Sequence, residues 1–304
     1  MLNFLKIFIF PLLIFIVTGG PAVAQNDIKK YRDIYTFNYP EKDSVLINKL
    51  MEKADPGITA IENFFGLKPG ISFQIYLTRS QAEFQSYSAS GFPEWAQAIA
   101  FVNKRMIVLR AGSGDEVLRL PQVFLHELVH VYLGLIAPRQ HIPTWLHEGL
   151  AQYLSHEGLT MDEQVLIANA LYSDRISYLA DLDSMFAFSP LKARLGYALA
   201  RSSVDYFIQQ YNLKTLLLTL QALDNQPLNK AFLQATGRDF VDFETGWFTY
   251  IDDKYSWMFL INAENFVWAI LVLLFVTAFI RIKLKNRKTR DSWQDEIESN
   301  DFLN

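Results

Sequence analysis

The chain contains no cysteine. This excludes a disulfide framework, a Cys-ligated zinc finger, a thiol nucleophile and a lipid-modified N-terminal cysteine, and it leaves the redox compartment unreadable. No charge sign dominates: 28 Lys+Arg stand against 32 Asp+Glu, a net of -4 over 304 residues. A basic field of the kind a duplex needs is missing, so no nucleic-acid partner is expected. Charged residues amount to only 20%, against 51% hydrophobic and 14% aromatic, which rules out disorder or low complexity over the whole chain. Length allows one large domain with appendages or two ordinary ones.

The appendages are at the ends. Lys6 precedes an apolar run from Ile7 to Val17, and the small triplet Ala22-Val23-Ala24 follows. The run falls short of the roughly 20 residues that a bilayer span needs, so a signal peptide over 1–24, cleaved after Ala24, is expected. Near the other end, Phe266 to Ile280 carries no charge, and Arg281, Lys283, Lys285, Arg287, Lys288 and Arg290 follow with no acidic group among them. Such a basic block beside an apolar stretch marks the cytoplasmic side. The expected order is a leader over 1–24, an extracytoplasmic (periplasmic or cell-surface) domain over 25–255, one transmembrane helix within 256–282, and a cytoplasmic tail over 283–304. The membrane is thus an expected partner, through the C-terminal helix. Oligomeric state is not encoded in any pattern found here.

Within the exported body, Tyr31 to Tyr39 is β-prone and stops at Pro40, which predicts a strand. A helix from Ser44 follows, with Leu46, Leu50, Ala54, Ile58, Ile61 and Phe65 at helical spacing and Gly66 as its stop. Ile71 to Leu77 alternates like a half-buried strand, Ser80 opens a short helix, and Ala98 to Val102 with Met106 to Leu109 predicts a hairpin. From Val117 to Trp247 the composition is helical. Sheet first and helices later is an α+β architecture.

All five histidines, His126, His130, His141, His147 and His156, fall in one window of the chain. Inside it stands His126-Glu127-Leu128-Val129-His130, in a stretch free of Pro and Gly from Gln122 to Leu133. Residues four apart on a helix share a face, so both imidazoles can hold one Zn2+ ion, while Glu127, one position on, is placed to take a proton from a metal-activated water. At this composition the motif is expected by chance roughly 0.005 times. Catalytic zinc sites use three protein ligands and leave a position open. Glu148, in Thr144-Trp145-Leu146-His147-Glu148-Gly149-Leu150-Ala151, supplies the third from a second helix after the Gly134 to Pro143 turn.

At these residues the chain resembles the gluzincin zinc metallopeptidases, and more closely the peptidase MA-like group, whose Trp-x-x-Glu-Gly-x-Ala pattern reads here Trp145-Leu-His-Glu148-Gly149-Leu-Ala151. The likeness extends from about Tyr31 to Ile251. It implies a thermolysin-like catalytic domain with a small N-terminal sheet and a helical C-terminal half. It also implies peptide or protein substrates, His126, His130 and Glu148 as zinc ligands, and Glu127 as general base. In the same comparison Met106 to Leu109 becomes the sheet edge that pairs with substrate backbone. Tyr197 resembles the tyrosine that donates to the oxyanion, with Tyr206 as its competitor.

Two departures stand out. Thermolysin-like relatives carry an acidic residue one turn after the glutamate ligand to support a zinc histidine, and Gln152 occupies that place here, its amide oxygen still able to accept an imidazole N–H. No Gly-x-Met-Glu-Asn element is present, which favours an endopeptidase over an aminopeptidase. His147 is expected to point away from the metal and pack, His141 and His156 to be ordinary loop and helix residues, Trp145 to anchor the core, and Asp181 and Asp183 to cap or brace. The alternative reading is a catalytically silent tethered domain that binds a protein or envelope partner.

Overall fold

The computed structural model describes residues 27–66, 71–87, 96–138, 142–187, 189–261 and 263–301. The leader expected over 1–24 and His141 lie outside the described residues. Where one strand was expected there are two, β1 (Asp27–Tyr31) and β2 (Tyr35–Tyr39), paired antiparallel. The chain reverses at Arg32 and Asp33, both in the left-handed region (φ 49° and 58°). The Arg32 guanidinium pins this turn by bonding Asp55, Thr59 and Glu62, all on helix α1 (Ser44–Phe65). Ile47, Leu50, Met51, Ala54, Ile58, Ile61 and Phe65 recur at spacings of three and four on the buried face of α1. The helix stops at Gly66, whose positive φ of 71° suits a residue without a Cβ.

Then come β3 (Phe73–Thr78) and α2 (Gln81–Gln85), whose cap Ser80 accepts the Glu83 N–H. The hairpin β4 (Ala98–Phe101) and β5 (Met106–Arg110) follows. The sheet order is β1-β2-β3-β5-β4, with β3 parallel to both β2 and β5. This corrects the expected edge. The Met106–Leu109 segment is interior, because Met106 to Arg110 pair with Gln74 to Thr78 of β3 on one side and with β4 on the other. The hairpin folds outward from β3, and β4 becomes the edge. Alternation along β4 serves two cores: Ala98 and Ala100 join the main one, while Ile99 and Phe101 meet Phe84 and Val108 in a smaller cluster beneath α2.

Helices make up the rest: α3 (Asp115–Ile136), α4 (Thr144–Leu154), α5 (Met161–Tyr172), α6 (Pro190–Leu223), α7 (Leu228–Thr236) and α8 (Phe240–Tyr255). No strand follows β5 among the described residues, and the α+β class stands. Helix α6 kinks at Asn212 (φ 74°), whose side chain caps the Thr215 N–H of the second half. Trp145 and Trp247 are fully buried, and Trp145 lies against Phe240 and Phe243 of α8 at 6.0 Å, the core anchor expected of it. Helix α9 (Ala263–Asp301) contains Phe266–Arg287, 22 residues long and apolar enough to cross a membrane, with none of that stretch buried in the protein.

Candidate metal centre

One turn of α3 separates His126 from His130, and both are buried, 1% and 0% exposed. Helix α4 packs against α3 and brings Glu148 to them, with Oε2 3.5 Å from His126 Nε2 and 3.7 Å from His130 Nε2. These separations exceed good hydrogen-bond lengths. Neither Nε2 atom nor either Glu148 oxygen has a hydrogen-bond partner among the described residues. Leaving such atoms bare in a core costs about 1–3 kcal/mol each. A cation removes that cost. Donors ~2.0–2.2 Å from a tetrahedral ion stand roughly 3.3–3.6 Å from one another, close to what is observed, and one ligand atom from each of the three residues lies within 4.8 Å of the others. The donor set therefore fits a divalent metal.

Electrostatics favour the same occupant. Burial pushes the His130 imidazole well below its ordinary pKa, which keeps a lone pair free. Burial would raise Glu148, but the imidazoles of His130, His126 and His147 outweigh it and hold the carboxyl below the usual range. At His126 burial works downward and is overcome by the carboxylates of Glu157 and Glu148, so a metal there competes with a proton. Glu127, beside these groups, is 0% exposed with no hydrogen-bond partner on either oxygen. Burial pushes its carboxyl up to about 8; Glu148 and Glu157 add to the rise, and His126 and the Ala100 amide of edge strand β4 oppose it.

Tyr197 is brought to the same place by α6. Its phenol is pushed well above its ordinary value by burial and by the carboxylates of Glu148, Glu127 and Glu157. Tyr206, two and a half turns on, packs instead against Phe243 and Tyr250 of α8. His147 does not point clear of the site as expected: its ring stacks on His130 at 4.4 Å, and its Nδ1 is 3.7 Å from Glu148 Oε1. Asp183 accepts the Thr144 N–H at 2.7 Å and so caps α4 from 39 residues away, whereas Asp181 is exposed. His156 lies in the turn after α4, in the left-handed region.

The expectation for Gln152 is corrected. Its amide donates to the carbonyls of Glu148 and Tyr197, tying α4 to α6, and His126 is met instead by a residue that sequence reasoning passed over. Glu157 Oε1 lies 2.9 Å from His126 Nδ1. No periodic signal marks it, because the contact depends on the left-handed turn at His156.

A family model for the peptidase MA superfamily matches residues 53–253. The chain belongs to the peptidase MA superfamily. The matched span opens in α1 and closes in α8, so it encloses the metal-site helices α3 and α4 and the Tyr197 helix α6, and it leaves out the apolar helix α9. No curated protein matches the chain.

In this peptidase MA chain the glycine after Glu148 has a steric reason. A Cβ on Gly149 would stand 2.7 Å from the Ala200 carbonyl carbon and from a Val204 methyl, where α4 and α6 make the most extensive contact between described elements. Backbone cannot swing aside as a side chain can. Alanine gains about 1 kcal/mol of helix propensity, but forcing the helices apart costs about 1–3 kcal/mol or more. Gly149→Ala is expected to lose about 2 kcal/mol net, a Tm drop of roughly 4–8 °C by calorimetry at this domain size. An unchanged Tm would mean that the two helices separate freely.

Proposed function

We propose that the chain is a membrane-anchored zinc metallopeptidase of the gluzincin type, an endopeptidase acting outside the cytoplasm. In this reading residues 1–24 are a cleaved leader, 25–255 the extracytoplasmic catalytic domain, 256–282 the spanning region and 283–304 a cytoplasmic tail. The observation that carries it is the convergence of His126 Nε2, His130 Nε2 and the Glu148 carboxylate, buried and without other partners, beside a second buried carboxylate.

His126, His130 and Glu148 hold the zinc, and nitrogen and oxygen donors in this ratio suit that ion. When bound, the ion supplies Lewis acidity to water and to the scissile carbonyl. Glu127, whose carboxyl is raised towards neutrality, accepts a proton from the attacking water and returns it to the leaving amine. Tyr197 donates its phenol hydrogen to the oxyanion. Substrate backbone adds to the outer edge of β4, which replaces the strand first expected there, and main-chain pairing of this kind reads a peptide irrespective of sequence. The Ala100 amide on that strand faces Glu127, so an added strand would pass the base.

The test is metal analysis of the purified full-length protein together with cleavage of casein. Expected are about one zinc per chain, cleavage abolished by a chelator, and its return on adding zinc. Zinc present with no turnover of any peptide would favour a silent tethered domain that binds a partner.

A further inference from the structure

The His126 ring is held from both ends. Its Nε2 faces Glu148 and the cation site, and its Nδ1 is 2.9 Å from Glu157 Oε1. An imidazole that donates Nδ1–H to a carboxylate offers Nε2 as a lone pair, with tautomer and ring plane set by the acceptor. Glu157 is well placed for this duty because the turn that carries it is fastened on several sides. The Glu157 N–H donates to the Gln152 carbonyl at 2.8 Å, and its own carbonyl accepts from Arg201 Nε at 2.9 Å. The neighbouring His156 carbonyl accepts from Gln122 on α3 at 3.1 Å. The carboxylate is steadied in turn by the buried Ser155 hydroxyl, which donates to Oε1 at 2.8 Å. Arg201 is itself held by an ion pair with Asp205 and by the Tyr153 ring beneath its guanidinium, at 4.9 Å. It lies one helical turn after Tyr197 on α6.

We propose that Glu157 is the positioning residue of the metal centre, holding His126 in its ligating tautomer and orientation. The turn from Ser155 to Gly158 then fastens that ligand to both α3 and α6. Gln152, a full turn closer to Glu148 in sequence, does not share this task, since its amide is committed to two backbone carbonyls. The inference rests on the metallopeptidase reading, because a histidine needs orienting only if it holds an ion.

The experiment compares full-length wild type with Glu157→Ala, Glu157→Gln and Ser155→Ala. It measures zinc affinity by competition with a chelator and the absorption spectrum of the cobalt-substituted protein. Glu157→Ala is expected to weaken zinc binding about 10–100-fold and to shift the cobalt bands. Glu157→Gln, which keeps an acceptor oxygen without its charge, should fall in between, and Ser155→Ala should move in the same direction by less. Wild-type affinity and a superposable cobalt spectrum in Glu157→Ala would overturn the proposal and leave the metallopeptidase reading intact. If that variant does not fold, wild-type behaviour of both Glu157→Gln and Ser155→Ala overturns it equally. A wild-type protein that takes up neither zinc nor cobalt overturns both ideas.

Discussion

Glu127→Gln is expected to keep its metal and lose about 10²–10⁴-fold in kcat on casein, the usual worth of a positioned general base. The substitution is isosteric and changes only the ability to take a proton. Glu127 sits in the core with neither oxygen hydrogen-bonded to another described residue and its carboxyl pushed up to about 8 by burial. A carboxyl tuned to neutrality exchanges a proton readily at working pH. The same burial makes a second outcome measurable on chelator-treated protein. Folding an ionised Glu127 into this site is costly above about pH 8, and the cost fades as pH falls towards its ordinary 4.5. Metal-free Glu127→Gln should therefore unfold at a higher temperature than wild type at pH 8.5, with the gap closing in acid. Full activity in this variant would remove Glu127 as the base, and a lower Tm would show that its carboxylate has a structural partner.

The parts of the site that could be read in the sequence are those fixed by helical period. His126 and His130 must share a face once α3 is a helix, and a reversal between Gly134 and Pro143 is enough to bring Glu148 back to them. Glu157 follows no period. It reaches His126 because His156 adopts a left-handed backbone, a conformation that nothing in Ser-His-Glu-Gly announces. The sheet divides along the same line. Alternation within Ile71 to Leu77 and the 98–109 hairpin is local and was legible, but strand order is a long-range matter, which is why Met106–Leu109 looked like an edge and proved interior. The break between β1 and β2 was hidden for another reason. Aromatic and polar residues alternate up to and beyond Arg32, and what bends the chain there is the guanidinium reaching Asp55 and Glu62, more than twenty residues away. Gln152 failed similarly: its position on α4 was right for a support, yet the nearest acceptors for its amide are carbonyls on α4 and α6.

Tyr197→Phe separates charge stabilisation from metal binding. The variant loses one hydroxyl and keeps the ring that packs in the core, 7% exposed. Its backbone remains tied, because the Tyr197 carbonyl accepts from Gln152 at 3.1 Å whatever the side chain. In wild type the phenol stays protonated at every accessible pH, since burial and the carboxylates of Glu148, Glu127 and Glu157 all oppose its ionisation. A neutral O–H beside three carboxylates gains little in the ground state. It is repaid when an oxyanion forms within its reach, which is what differential transition-state binding requires. Loss of one such donor should lower kcat about 10²–10³-fold, with KM and zinc content unchanged. Tyr206→Phe is the control, because that ring packs against Phe243 and Tyr250 on α8 and its hydroxyl has no part in the site. Wild-type kcat in Tyr197→Phe would assign the oxyanion to another donor. His147 would then be next in line, since its ring stacks on His130 and its Nδ1 approaches Glu148.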